Sequence, residues 1–121
     1  MVFMASVTGN LGFARFAFYG AMNAGVIGLA RGLAIELAPV GIRVNSVSPG
    51  TVDAPMLHRF EIDLGVDPVK LRADIDANHP RGKMASIEEV VAAFLFLASN
   101  DAANITGHDL RCDGGLTAKG G

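Results

Sequence analysis

A single cysteine, Cys112, occurs in the 121 residues. One thiol cannot close an internal disulfide and leaves no thiolate cluster for a metal, so a reducing, cytoplasmic setting is expected. Cys112 itself reads as a small residue in or beside a strand. Excess positive charge is also lacking. Ten Lys and Arg stand against twelve Asp and Glu for a net charge of -2, and the basic residues are scattered, which argues against a nucleic-acid partner. The three histidines, His58, His79 and His108, have no second ligand one helical turn away, so no metal site is expected. The opening MVFMASVTGN carries neither a basic leader nor a long apolar core, and the most apolar stretch, residues 21–38, is interrupted by Arg31 and Glu36. No signal peptide and no membrane span are expected. What the chain does have is apolar content: 50% of its side chains are hydrophobic, enough for one domain with a core over residues 1–121 but too few residues for two.

Residues 1–5 (MVFMA) read as a short apolar strand entering a polar, glycine-containing loop at 6–12. From about Phe16 to Ala38 apolar and small residues keep helical spacing until Pro39 and Gly41 stop the helix. Ala21, Gly25, Gly28 and Gly32 fall on one side of it, a smooth face suited to tight packing. Residues 42–47 (IRVNSV) predict a buried parallel strand ended by Pro49 and Gly50. Residues 51–83 hold three of the five prolines around weakly helical pieces at 54–62 and 68–77, which reads as a mobile excursion with a lid at about 54–79. Ser86 then caps a helix whose first turn holds Glu88 and Glu89, and whose buried stripe is predicted as Val90, Val91, Phe94, Leu95, Leu97 and Ala98. A turn at 104–107, a last strand at 108–112 and a loop at 113–115 follow. Strand, helix, strand, lid, helix, strand is an α/β order in which each strand returns through a crossover, so the pairing should be parallel. Three strands are few for a parallel sheet covered on both faces, and the chain reads as one side of a larger doubly wound sheet.

The chemistry-bearing residues are Ser6, Tyr19 thirteen residues later, and Asn23 four residues after that. A phenol is a useful acid and base near neutral pH only when its ionisation is brought down from roughly 10, and a lysine one helical turn away is the common means. Here that position holds asparagine. Four segments, ASVTG at 5–9, YGAMNAG at 19–25, ELAPVGIRVNSVSPGTVDAPM at 36–56 and ASIEEVVAAFLFLASNDAANITGHDLRCDGG at 85–115, together resemble the C-terminal half of a short-chain dehydrogenase/reductase. The likeness runs over essentially the whole chain.

That resemblance implies a partial Rossmann-like doubly wound parallel sheet and an NAD(P)-dependent alcohol dehydrogenase or carbonyl reductase. Ser6 would hold the substrate oxygen, and Tyr19 would transfer the proton while a nicotinamide moves the hydride. Position 23 would serve the tyrosine and the nicotinamide ribose, of which Asn23 can imitate only the ribose contact because it carries no charge. Pro49, Gly50, Thr51 and Val52 would meet the nicotinamide carboxamide and phosphates, at the carboxyl end of a strand. The glycine-rich βα turn that receives the pyrophosphate does not occur in the sequence, nor does the family's acidic or basic residue that selects between NAD and NADP, so that choice is unreadable. These departures predict a chain that is inactive or nearly so alone. The alternative is a non-catalytic pseudoenzyme that keeps the family's assembly surfaces, a homo-oligomer formed through the 16–38 helix and the last strand. A third reading makes Met1 an internal methionine of a longer reading frame. A small-molecule alcohol or carbonyl is the expected substrate, with its identity open.

Overall fold

Parallel pairing governs the architecture. The structure, a computed structural model, describes residues 1–119; the remainder of the expected 1–121 domain, residues 120 and 121, lies outside the described residues. Strands β1 (Val2–Met4), β2 (Asn45–Pro49) and β5 (Asp109–Cys112) form one sheet in the order β1-β2-β5, with β2 in the centre. Both ladders are parallel, with Phe3 opposite Ser46 and Val47 opposite Leu110. Between β1 and β2 the chain crosses over through α1 (Ala17–Leu37), and α4 (Ile87–Ala98) precedes β5. Every residue of β2 is buried, as expected of a central strand covered on both faces.

Successive side chains of an extended segment point to opposite faces, and this alternation divides the core. Val44 packs with Ala30 and Ala34 of α1 and with Phe3, Leu33 and Leu37. On the other face Val47 packs with Val90 and Leu97 of α4 and with Leu110 and Cys112. Arg43 secures the far end of α4: its guanidinium donates to the carbonyls of Leu97 at 2.7 Å and Ser99 at 3.0 Å, two acceptors left open where the helix ends. The start of α4 is closed by a capping box, in which Ser86 Oγ accepts from Glu89 N and Glu89 Oε2 accepts from Ser86 N.

Beyond β2 the segment expected to form a lid, residues 54–79, is mostly helical. Strand β3 (Val52–Asp53) pairs in parallel with β4 (Ala85–Ser86), a two-stranded ladder that the sequence reading did not contain. Between them lie α2 (Pro55–Leu64) and α3 (Pro68–Asn78), matching the weakly helical pieces. Arg72 of α3 joins them: its Nη1 donates to Asp53 at 2.7 Å, and its Nε stands 2.7 Å from Oε1 of the buried Glu61. That Oε1 lacks a well-aligned hydrogen bond, so the second contact acts as an ion pair.

Three expectations are corrected. The central strand runs 45–49 rather than 42–47, because pairing partners set a ladder and residue propensity does not: Val2 lies opposite Asn45, and Cys112 opposite Pro49. The stripe on α4 is narrower than predicted, with Val91, Leu95 and Ala98 exposed. With a three-stranded sheet beneath it, only one edge of that helix finds cover among the described residues. The smooth face of α1 is likewise open: Ala21, Gly25, Gly28 and Gly32 are exposed, and a Cβ added at any of the three glycines would meet nothing within 4 Å. Segment Ala17–Val40 is long and apolar enough by length and composition to cross a membrane, yet Asn23, Ile27, Ala30 and Ala34 on it are buried within the domain.

Candidate functional site

Because the three strands are parallel, the segments following them emerge at one edge of the sheet. Ser6 follows β1, Gly50 and Thr51 follow β2, and Asp113 follows β5. Ser6 is the N-cap of a one-turn 3-10 helix at Val7–Gly9, and its Oγ accepts from Thr8 N at 3.2 Å. That turn is pressed onto the first turns of α1. A Cβ at Gly9 would lie 2.8 Å from the backbone of Asn23 and Ala24, and one at Gly20 would lie 2.8 Å from the Thr8 carbonyl oxygen. Here, rather than on the 21-25-28-32 face, small residues permit close backbone approach. The serine loop and the tyrosine helix therefore form one packed unit.

Tyr19 stands on the first turn and a half of α1, 46% exposed, with its ring edge-on to Phe16 at a centroid distance of 6.1 Å. Asn23 lies one turn further and is buried. Its amide nitrogen donates to the Tyr19 carbonyl at 2.9 Å and to Thr8 Oγ1 at 3.4 Å. An amide nitrogen has two protons, so both are directed at atoms of the chain itself. The asparagine thus clamps helix to serine loop.

Pro49 closes β2 as a buried residue, and Gly50 N donates to Cys112 O at 3.2 Å. The Thr51 peptide is held on both sides: its carbonyl accepts from Ala85 N at 2.9 Å, and its N–H donates to His79 Nε2 at 3.3 Å. Val52 then enters β3. The link of His79 to Thr51 has no sequence signal because the two residues are 28 apart. Among the described residues no group of three His, Cys, Asp or Glu side chains could hold a metal ion.

Two carboxylates brace this edge. Asp109 Oδ1 accepts from Ser46 Oγ and Ser48 Oγ, both at 2.7 Å, and its Oδ2 accepts from Asn10 Nδ2 at 3.0 Å, which ties the serine loop to β2 and β5. Asp113 accepts from Gly115 N, from Thr117 N and, at 2.6 Å, from Thr117 Oγ1. Burial alone would push the Asp113 carboxyl up; the Thr117 and Gly115 bonds outweigh it and hold the group below its ordinary range. Burial pushes the neighbouring Cys112 thiol up, helped by Glu89 and Asp113. A groove of about 440 Å³ is lined by Thr8, Leu11, Phe13, Phe16 and Gly20, and neither Ser6 nor Tyr19 lines it.

Over residues 1–117 the chain matches the family model described as enoyl-(acyl carrier protein) reductase. It is 40% identical over 118 residues to cis-4-hydroxycyclohexanecarboxylate dehydrogenase of Sinomonas cyclohexanicum, covering 98% of this chain and 45% of that protein. Its fold is similar to that of ElxO with NADP bound, at a TM-score of 0.87 and 37% identity over 98% of this chain and 46% of the other. It is also similar to Thermoplasma acidophilum aldohexose dehydrogenase in ligand-free form, at a TM-score of 0.91 and 33% identity over 98% and 48%. The chain spans less than half the length of these relatives. Matched from end to end and built on the same parallel sheet, it belongs to the short-chain dehydrogenase/reductase family.

Proposed function

We propose that this chain forms the proton-transfer and substrate-facing part of an NAD(P)-dependent oxidoreductase acting on an alcohol or a carbonyl. The observation that carries the reading is the packing of the Ser6 loop against the Tyr19 helix, through Gly9, Gly20 and the Asn23 bonds to Thr8 and Tyr19. Such packing keeps a hydroxyl donor and a phenol in a constant relation, as transfer of a proton to a substrate oxygen requires. Ser6 orients the substrate oxygen and Tyr19 exchanges the proton. Thr51, its peptide held by His79 and Ala85, presents the loop that meets the nicotinamide. When bound, the dinucleotide supplies or accepts the hydride.

The residues present suit the nicotinamide end of such a cofactor. Gly50 and Thr51 follow the carboxyl end of the central strand, where ligands of open α/β sheets bind. ElxO carries NADP in its structure, which supports NAD or NADP as the cofactor class. Asn23 brings no positive charge to the phenol, so proton transfer should be slower than a lysine at the same position would allow. Titrating the labelled chain with NADPH while following its amide resonances tests the reading. Shifts concentrated in residues 5–9, 19–23 and 49–53 are expected; shifts spread elsewhere, or none, would overturn it.

A second reading concerns assembly. Phe18 is 90% exposed, Ile35 77% and Met22 70%, on the same helix as the open small-residue face. Apolar surface of this extent on one element marks an interaction surface. We propose a homo-oligomer in which α1 packs on its counterpart and the last strand adds a second contact. This assembly would persist whether or not the chain turns over substrate.

A further inference from the structure

We propose that His79 is a positioning residue that couples the lid to the cofactor-facing loop, so that α3 and the Thr51 peptide move as one unit. Pro80 is the origin of the arrangement. A residue before proline is disfavoured in helical conformation, and α3 accordingly ends at Asn78 with His79 extended at φ -84 and ψ 125. The imidazole turns back over the end of its own helix, where Nδ1 lies 2.8 Å from the carbonyl oxygen of Ile75. That carbonyl has lost its partner at the helix terminus and can only accept. The Thr51 N–H can only donate, so Nε2 must offer its lone pair. Both constraints are met together by one species, the neutral ring protonated at Nδ1.

The site is built around this ring. His79 is 3% exposed. A Cβ at Gly50 would lie 2.7 Å from Nε2, so glycine is what allows the ring to reach the Thr51 peptide. Its other neighbours are fixed as well: Gly82 N donates to His79 O at 2.8 Å, and Arg81 N donates to Gly114 O at 3.0 Å, tying the segment to the turn after β5. Asp76 Oδ1 accepts from Met84 N at 2.8 Å and closes the segment onto α3. The imidazole is thus a rigid link from the lid's last turn to the loop after the central strand. Opening the lid at α3 must release the Thr51 N–H or drag it along.

The functional half of this inference rests on residues 49–52 being the nicotinamide loop, and the test separates the two. Ring-nitrogen resonances of the intact labelled chain should show His79 fixed in the Nδ1–H form. A ring fixed as Nε2–H, or one averaging between forms as in a loose segment, would overturn the proposal. Two substitutions then divide the functions of the ring, because glutamine places a polar atom near the Nε2 position and asparagine near Nδ1. His79→Gln should leave amide exchange at Thr51 within about twofold of the parent, while His79→Asn should speed it about tenfold, with the amides of 75–78 following. Equal effects of the two variants would contradict the coupling. NADPH added to the parent reads the loop independently: if no amide in 50–52 moves while the ring form and the exchange pattern are as stated, the cofactor assignment fails and the coupling stands.

Discussion

The side-chain amide of Asn23 donates to the backbone carbonyl of Tyr19, one helical turn earlier, at 2.9 Å. Asn23 therefore braces the helix that carries the phenol, and it does so without a charge. Replacing it removes a buried donor pair. Asn23→Ala should destabilise the fold by about 1–2 kcal/mol, read as a lower urea midpoint with unchanged slope, since Thr8 Oγ1 and the Tyr19 carbonyl both lose a partner. No change in the midpoint would show that these bonds exchange for water at no cost.

Gly9 and Gly20 mark the contact between serine loop and helix. Alanine at either would place a methyl group 2.8 Å from backbone atoms that cannot swing aside. Each substitution should cost about 1–3 kcal/mol, as overpacking does. Gly28→Ala should do the opposite and stabilise by about 0.5–1 kcal/mol, because that Cβ meets nothing and alanine is the better helix former. Thermal melts of the three variants check the contrast.

Self-association should depend on the outer face of α1. Phe18→Asp, at a side chain 90% exposed, should leave the melting temperature of dilute protein nearly unchanged and shift sedimentation toward the smaller species. An unaltered distribution of species would move the proposed interface elsewhere.

Acid stability should report Asp113. Its carboxyl is held below the ordinary value of 3.8, so the stabilisation is fully present above that value and disappears as pH falls through the lower folded-state value. Glu89 contributes with the same sign, lowered first by its bond from Ser86 N and then by Arg81. Melting temperature followed downward from pH 6 should fall steeply in the parent and less steeply in Asp113→Asn, which starts from a lower value at neutral pH. Parallel curves would remove Asp113 from the account.

Much of this was legible in the sequence because local rules decided it. The capping box needed only Ser86 and Glu89, and the ends of α1 followed from the periodicity and from Pro39 with Gly41. The order of elements gave parallel pairing, and the spacing of Ser6, Tyr19 and Asn23 placed them on a loop and a helix that the structure packs together. What escaped was decided across distance. The β3–β4 ladder joins residues more than thirty apart, the limits of β2 were set by its neighbours, and His79 found Thr51 only through the fold. Asp109 gathers Ser46 and Ser48 from β2 and Asn10 from the serine loop. The smooth face of α1 shows the limit of pattern reading from the other side. Helical spacing correctly collected the small residues on one face, but spacing alone could not say that close packing occurs at Gly9 and Gly20 instead.

The central claim is that Ser6 and Tyr19 form a working proton-transfer pair limited by the missing charge at position 23. The direct measurement exchanges residues 1–119 for the matching segment of cis-4-hydroxycyclohexanecarboxylate dehydrogenase and compares hydride transfer by the chimera with Asn23, with Asn23→Lys, and with Tyr19→Phe. The account predicts that the lysine variant turns over at least about tenfold faster than the asparagine parent, a difference of about 1.4 kcal/mol in barrier, and that the phenylalanine variant is the slowest of the three. A folded, NADPH-binding chimera in which lysine gives no gain and Tyr19→Phe gives no loss would contradict it.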